Sequence, residues 1–206
     1  MTSFATEQEE FWAGQFGDEY SDRNIGQGWI AANTALFAKV LNRTRGVKSV
    51  IELGANIGLN LRAIDTLIAE AELAAVEINN YAAADLRKWG RCEVHESTIL
   101  EFKPERQWDL ALIKGVLIHI NPDALPQVYD KLYASSSKYI CIVEYFNPSP
   151  VALSYRGHED RLFKRDFAGE VLDRFADLEL VDYGFCYRRD PNFPQDNVTW
   201  FLLKKK

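Results

Sequence analysis

Short apolar runs alternate with amphipathic helical stretches through most of the chain, and this alternation limits the folds that it can adopt. Several runs are continuously apolar, which is typical of parallel strands covered on both faces. Repeated strand, helix and strand patterns predict an α/β fold with a doubly wound, mostly parallel sheet. The predicted strands occupy residues 47–53, 73–78, 93–95, 110–113, 139–145, 178–187 and 198–204. The last two are close enough in sequence to form an antiparallel hairpin, which gives a seven-stranded sheet.

The chain shows no internal repeat and no linker, so residues 1–206 are predicted to form a single domain. Residues 1–46 predict an N-terminal helical cap, because aromatic side chains and helix-spaced apolar residues dominate them. Residues 47–145 are predicted to form the first, ligand-binding half of the sheet. Residues 146–206 are predicted to form an insertion, a helix and the terminal hairpin.

The overall charge disfavours several classes of partner. The 206 residues include 24 Lys and Arg against 30 Asp and Glu, a formal charge of −6. An acidic chain is not attracted over distance to polyanions, so neither nucleic acid nor a membrane surface is expected as a partner. No export signal or spanning segment is recognisable, which predicts a cytoplasmic protein. The three cysteines lack metal-site spacing, so we expect reduced thiols and no bound metal.

A glycine-rich segment, residues 50–60, joins the first strand to the next helix, where open α/β sheets bind ligands. Its glycines allow close approach of the backbone to a ligand, and Asn56 tolerates the positive φ that such turns require. Glu77 ends the second strand, 25 residues after Glu52. A carboxylate near this offset accepts hydrogen bonds from ribose hydroxyls. A turn without a ligand and a solvated Glu77 are the alternatives.

Four places in the sequence are similar to motifs of the class I S-adenosylmethionine-dependent methyltransferases: residues 52–58, Glu77, residues 108–110 and residues 116–120. The order of strands and helices also agrees with that family. A narrower resemblance, to methylases associated with the biosynthesis of the bacterial sialic-acid-like sugar pseudaminic acid, involves residues 11–24, 52–60 and 119–122. The resemblance implies a Rossmann-like methyltransferase fold with S-adenosyl-L-methionine as cofactor.

On this resemblance, the glycine-rich motif that begins at Glu52 cradles the methionine part of the cofactor with the backbone of Gly54, Ala55, Asn56 and Gly58. Glu77 would hold the ribose, and Ile78 would flank the adenine. Many such enzymes bind the adenine amino group through an acidic residue after the third strand. The matching stretch here instead offers Ser97, Thr98 or a backbone group next to Ile99.

The resemblance also places residues around the sulfonium and the carboxylate of the cofactor. Lys114, Gly115 and Val116 would leave the fourth strand under the sulfonium. Tyr20 and Arg23 would reach the cofactor carboxylate from the N-terminal cap. An aromatic residue that simply packs on the sheet is the alternative for Tyr20.

Three residues are candidates for proton transfer or for orienting the acceptor. His119 and His158 are histidines at predicted cleft positions, and histidine takes up a proton near neutral pH. A structural role is the alternative for His119. Glu144 and Tyr145 end the fifth strand and are expected to face the same cleft, where Glu144 would orient a hydroxyl or an amine.

The segment after the fifth strand carries the predicted acceptor-binding residues Tyr155, Arg156 and Arg161. It is too polar for a core element, so we expect a mobile lid. Its basic residues, with those of the terminal hairpin, predict a small anionic acceptor such as a nonulosonic-acid or nucleotide-sugar intermediate. A solvated loop surface is the alternative.

The predicted activity is methyl transfer from S-adenosylmethionine to a hydroxyl or an amine. An NAD-dependent oxidoreductase is a second hypothesis, opposed by the terminal hairpin and by the lack of a fuller Gly-x-Gly-x-x-Gly motif. A catalytically silent cofactor-binding or scaffold protein of a sugar-assembly complex is a third.

Overall fold

The structure, a computed structural model, describes the backbone of residues 4–23, 26–155 and 158–206 and, in these ranges, all side chains except those of Gln27 and residues 154–161. Three helices come first: α1 (Glu7–Ala13), α2 (Gln15–Arg23) and α3 (Gln27–Leu41). The side chain of Thr6 caps α1, because its oxygen accepts a hydrogen bond from the backbone N–H of Glu9 at 3.2 Å. None of the described helices is long and apolar enough to cross a membrane.

The strands are β1 (Ser49–Leu53), β2 (Glu72–Glu77), β3 (Cys92–Glu96), β4 (Trp108–Lys114), β5 (Ser136–Glu144), β6 (Val151–Tyr155), β7 (His158–Lys164), β8 (Leu178–Cys186) and β9 (Val198–Lys205). Seven of them form one sheet in the order β3-β2-β1-β4-β5-β9-β8. Strands β1 to β5 pair in parallel, whereas β9 runs antiparallel to both β5 and β8. The predicted seven-stranded sheet and terminal hairpin are confirmed.

The remaining helices cover both faces of this sheet: α4 (Leu59–Leu67), α5 (Asn80–Trp89), α6 (Leu125–Ser135) and α7 (Phe167–Arg174). One core layer joins the sheet to α3, α4 and α5, and the other joins it to α6 and α7. Neighbouring residues of one strand enter different layers, as Val50 and Ile51 of β1 do. The central strands are therefore continuously apolar because both of their faces are buried.

Strands β6 and β7 form a separate two-stranded hairpin where the sequence predicted an open, polar loop. A bridge between Phe146 and Arg165 closes its base. Leu162 of β7 is buried and belongs to the core layer that contains α6 and α7. The expectation that this segment contributes nothing to the core is wrong at Leu162, because alternate residues of a strand point to opposite faces.

Candidate functional site

A cavity of about 220 Å³ opens at the carboxyl ends of β1, β2 and β4, with α1, α2 and α3 contributing to its wall. The strand order reverses between β1 and β4, which is where open α/β sheets bind ligands. Of the predicted cofactor-binding residues, the cavity brings together Tyr20, Gly54, Ala55, Asn56, Glu77, Ile78, Ser97, Ile99, Lys114, Gly115 and Val116.

The turn after β1 contains two residues with positive φ, Gly54 and Asn56. Gly54 has a φ of +79°, and a Cβ atom there would lie 2.6 Å from Cγ2 of Val116, so only glycine fits. Asn56, with a φ of 49°, is the single non-glycine residue with positive φ in the described ranges. Its Oδ1 accepts hydrogen bonds from the backbone N–H of Ile57 at 2.6 Å and from the Ser21 hydroxyl at 3.2 Å. These contacts hold the turn in shape and tie it to α2.

Glu77 connects the end of β2 to this turn. Its Oε2 accepts a hydrogen bond from the backbone N–H of Asn56 at 2.6 Å, and its Oε1 accepts one from the backbone N–H of Asn79 at 2.8 Å. Burial raises the pKa of Glu77, and the backbone hydrogen bonds oppose that rise. A carboxylate offers about four acceptor positions, so Glu77 retains capacity for hydroxyl donors from a ligand.

Four predicted cofactor residues lie outside the cavity lining: Glu52, Gly58, Thr98 and Arg23. Gly58 precedes α4 with a φ of +75°, and a Cβ there would lie 2.5 Å from Cδ2 of Leu86, so this glycine lets α4 and α5 pack closely. The hydroxyl oxygen of Thr98 accepts a hydrogen bond from the backbone N–H of Glu101 at 3.0 Å and stabilises a local turn.

Neither Glu52 nor Arg23 lies at its predicted position beside the cofactor. Glu52 is buried and Arg23 is exposed. Glu52 is fully buried behind the cavity, where its Oε1 accepts a hydrogen bond from Nδ2 of Asn60 at 2.6 Å. Burial raises its pKa from 4.5 to about 8. Arg23 lies on the outer face of α2, 3.6 Å from the Glu19 carboxylate and over the Phe16 ring.

Aromatic residues of the N-terminal helices and His119 form one wall of the cavity. His119 is buried on the 3₁₀ turn Leu117–His119, which follows β4. The centroid of its ring lies 4.7 Å from that of Trp12, and the ring of Trp12 meets Tyr20 edge-on at 5.3 Å. His119 and Tyr20 therefore both occupy the predicted cleft.

A second cavity, of about 110 Å³, adjoins the first and is the more polar of the two. The two share the residues Tyr20, Trp29, Lys114, Gly115, His119 and Asp196. The predicted acceptor residue Tyr145 lines this second cavity, as does Leu162 of the β6–β7 hairpin. Nζ of Lys164 lies 4.9 Å from the centroid of the Tyr145 ring. The cavities therefore meet at a wall of titratable and aromatic side chains.

Glu144 does not line either cavity, which corrects its predicted position. Its side chain is buried, and Oε1 accepts hydrogen bonds from the backbone N–H groups of Val116 and Leu117 at 2.8 and 2.9 Å. Burial raises its pKa to about 7. Glu144 therefore holds the turn that carries His119 rather than facing the cleft.

Comparison with known proteins identifies the fold. No family model and no curated protein matches the chain. A 1,6-didemethyltoxoflavin-N1-methyltransferase of Burkholderia thailandensis, solved with bound S-adenosylhomocysteine, has a TM-score of 0.70 and 18% identity over 100% of this chain and 93% of that one. A magnesium protoporphyrin IX methyltransferase of Synechocystis with bound S-adenosylmethionine has a TM-score of 0.70 and 11% identity over 100% of both chains. The fold is that of the class I methyltransferases.

Several residues that line the cavities were not predicted from the sequence, among them Trp12, Trp29, Gln195 and Asp196. Nε2 of Gln195 donates a hydrogen bond to Oδ1 of Asn33 at 3.0 Å, which pins the β8–β9 loop to α3. The sequence feature that could have identified Asp196 as a lining residue is its position in the loop between the two terminal strands. That loop lies at the same sheet edge as the carboxyl end of β5, because β9 is antiparallel.

Part of the predicted acceptor side lies beyond what the structure describes. Arg156 is outside the described residues. Tyr155 and His158 pair across the end of the β6–β7 hairpin, and Arg161 lies on β7, but the side chains of these three residues are likewise outside the description. Their roles stay predictions.

Proposed function

We propose that this chain is an S-adenosylmethionine-dependent methyltransferase that methylates a hydroxyl or an amine of a small anionic acceptor. The observation that carries the proposal is the pair of adjoining cavities, one lined by the glycine turn and Glu77, the other by polar side chains. A group-transfer enzyme must hold two ligands with their reacting atoms in contact, and most of its rate enhancement then comes from their alignment.

The first cavity fits the cofactor by its own chemistry. Gly54 lets the turn pack against Val116 at the cavity wall, and the buried Glu77 carboxylate suits a pair of ribose hydroxyls. Ile78, Ile99 and Leu100 offer apolar surface for a planar adenine. Ser97 is a polar residue of the same lining and is the proposed contact for the adenine amino group.

S-adenosylmethionine, when bound, supplies a methyl group that is already activated by its sulfonium. The protein must therefore align the acceptor and exclude water. Trp12, Tyr20 and Trp29 of the N-terminal helices line the cavity and serve this exclusion. A base is required only for a hydroxyl or an ammonium, and His119 and Lys114 are titratable residues of the shared wall.

Positive charge near the second cavity supports an anionic acceptor. Lys164 lies over the ring of Tyr145, which lines this cavity. The predicted contributions of Arg156, Arg161 and His158 would add to this charge. The narrow resemblance to methylases associated with pseudaminic acid points to a nonulosonic-acid or nucleotide-sugar intermediate as the acceptor.

The test is incubation with methyl-labelled S-adenosylmethionine and a panel of sugar-nucleotide and nonulosonic-acid intermediates, followed by mass analysis. The expected result is one acidic sugar that gains a single methyl group, with a smaller gain when the E77A variant replaces the wild type at the same subsaturating cofactor concentration. Absence of transfer to every one of these acidic sugars would overturn the anionic class. Tight binding of cofactor and sugars without turnover would identify a silent binding protein instead.

A further inference from the structure

We propose that Lys114 is the proton acceptor for the hydroxyl or ammonium group that becomes methylated. This inference rests on the proposed methyl transfer, and it gives Lys114 a role beyond its predicted position under the sulfonium. It starts from the place of the side chain in the fold.

Lys114 is the last residue of β4, and it lines both cavities. It therefore lies at the junction where an acceptor in the second cavity would meet a donor in the first. The side chain is half-buried, and none of the described carboxylates forms an ion pair with it within 4 Å. A lysine without a close counter-ion is the kind whose amine becomes available as a base.

The strands on both sides of β4 each place a buried glutamate near Lys114. Glu52 of β1 and Glu144 of β5 are both electrostatic neighbours of its ammonium. Oε2 of each carboxyl group is buried and has no hydrogen-bond partner among the described residues. A negative charge on either group stabilises the ammonium once a proton arrives, without an ion pair beforehand.

Desolvation lowers the pKa of Lys114, and this effect outweighs the opposing pull of its acidic neighbours. The titratable groups that act on its charge are Glu52, Asp196, Cys186 and Glu144. Tyr20 and His119 share the cavity wall with it. A larger fraction of Lys114 than of an exposed lysine is therefore the neutral amine at a given pH.

The proton balance is simple. The acceptor's O–H or N–H bond breaks, its proton forms a new bond to the lone pair of Nζ, and the acceptor atom keeps the electron pair with which it takes the methyl group. Lys114 becomes an ammonium. Asp196 is exposed and lines both cavities, so it provides the route by which the proton returns to solvent.

His119 is the competing base in the same wall. Its ring packs 4.7 Å from that of Trp12 and is carried by the turn that Glu144 anchors. This arrangement fixes the imidazole as part of the aromatic wall. Lys114 lines the same two cavities from the end of β4 rather than from this aromatic wall.

The first experiment measures the pKa of Lys114 in the absence of an acceptor. Wild-type protein with ¹³C-labelled lysine is titrated by NMR, and the resonance that disappears in K114R is assigned to Lys114. Its midpoint should lie below the ordinary lysine value of about 10.4. A midpoint at or above that value would overturn the inference even if methyl transfer occurs.

The second experiment uses whichever panel sugar gains a methyl group. K114A should lower kcat about 100-fold or more, the usual range for loss of a general base, and added methylamine should restore part of the rate. K114R, whose guanidinium stays protonated, should be equally slow and not respond to methylamine. Lys204 forms a surface ion pair with Glu179 and lines neither cavity, so K204M should retain the wild-type rate.

The outcomes separate the two proposals. If K114A keeps its rate within threefold and the loss appears in a His119→Ala variant instead, the histidine is the base and Lys114 is not. If none of the sugars is methylated but the pKa of Lys114 is lowered, the proposed acceptor class is wrong. The claim that Lys114 lies in a desolvated environment is then still supported. A Tm of K114A close to that of the wild type shows that the variant is folded.

Discussion

Replacing Glu77 with alanine should weaken cofactor binding in a protein that still folds. Ribose hydroxyls that donate to a carboxylate make charge-assisted hydrogen bonds, and their loss costs about 1–3 kcal/mol. This corresponds to an increase of about 5- to 150-fold in Kd.

The structure adds a cost to folding. Without the Glu77 carboxylate, the backbone N–H groups of Asn56 and Asn79 lose their acceptor. An unsatisfied buried donor costs about 1–3 kcal/mol, and solvent that enters the space left by the side chain reduces this. For a chain of this size, 1 kcal/mol lowers Tm by about 2–4 °C, so the variant should unfold several degrees lower and remain folded at 25 °C.

A matched control is available on the neighbouring strand. Glu96 stands in register with Glu77 at the end of β3, but it is exposed, pairs with Arg87 at 2.7 Å and does not line the cavity. Calorimetry with S-adenosylhomocysteine should find E96A equal to the wild type. The reasoning fails if E77A binds normally while its Tm collapses, or if E96A weakens binding as much as E77A does.

Three further outcomes follow from the same geometry. G58A should lower the free energy of unfolding by about 1–3 kcal/mol in a denaturant titration, since the added Cβ meets the buried Leu86; an unchanged midpoint would contradict this. The pKa of Glu52 is raised to about 8 in the folded protein, so between about pH 4.5 and pH 8 the unfolded chain loses this proton while the folded protein keeps it. The free energy of unfolding therefore falls as the pH rises through this range. E52Q, which keeps an acceptor for Asn60, should therefore lose less stability between about pH 5 and pH 8 than the wild type, and parallel curves would refute the burial argument. R23A should leave S-adenosylhomocysteine affinity unchanged, because Arg23 lies outside the cavity lining, and a tenfold loss would restore its predicted role.

The fold was readable from the sequence because its strongest signals are local. Continuous apolar runs, with a glycine turn after the first, specify a parallel sheet and its ligand-binding edge. The turn at Gly54 and Asn56 and the carboxylate at Glu77 followed from residue type and spacing alone. These residues lie in or beside regular elements whose geometry fixes where they point.

The errors concern side chains whose direction depends on packing across strands. Glu144 ends β5 at the predicted edge, but its carboxylate accepts hydrogen bonds from the backbone N–H groups of Val116 and Leu117, and only the turn after β4 creates that need. Gly58 belongs to the predicted motif, but glycine is required there because a side chain would clash with Leu86 of α5. Asp196 was missed although the predicted hairpin brings its loop to the site, because nothing in the sequence marks which residue of that loop lines the cavities.

The central claim is that the cavity at the ends of β1, β2 and β4 binds an S-adenosyl compound. Calorimetric titration of the wild-type chain with S-adenosylhomocysteine, and separately with NAD, tests it most directly. The predicted result is one S-adenosylhomocysteine per chain and no measurable heat from NAD. Comparable affinity for NAD, or no binding of S-adenosylhomocysteine, would contradict it.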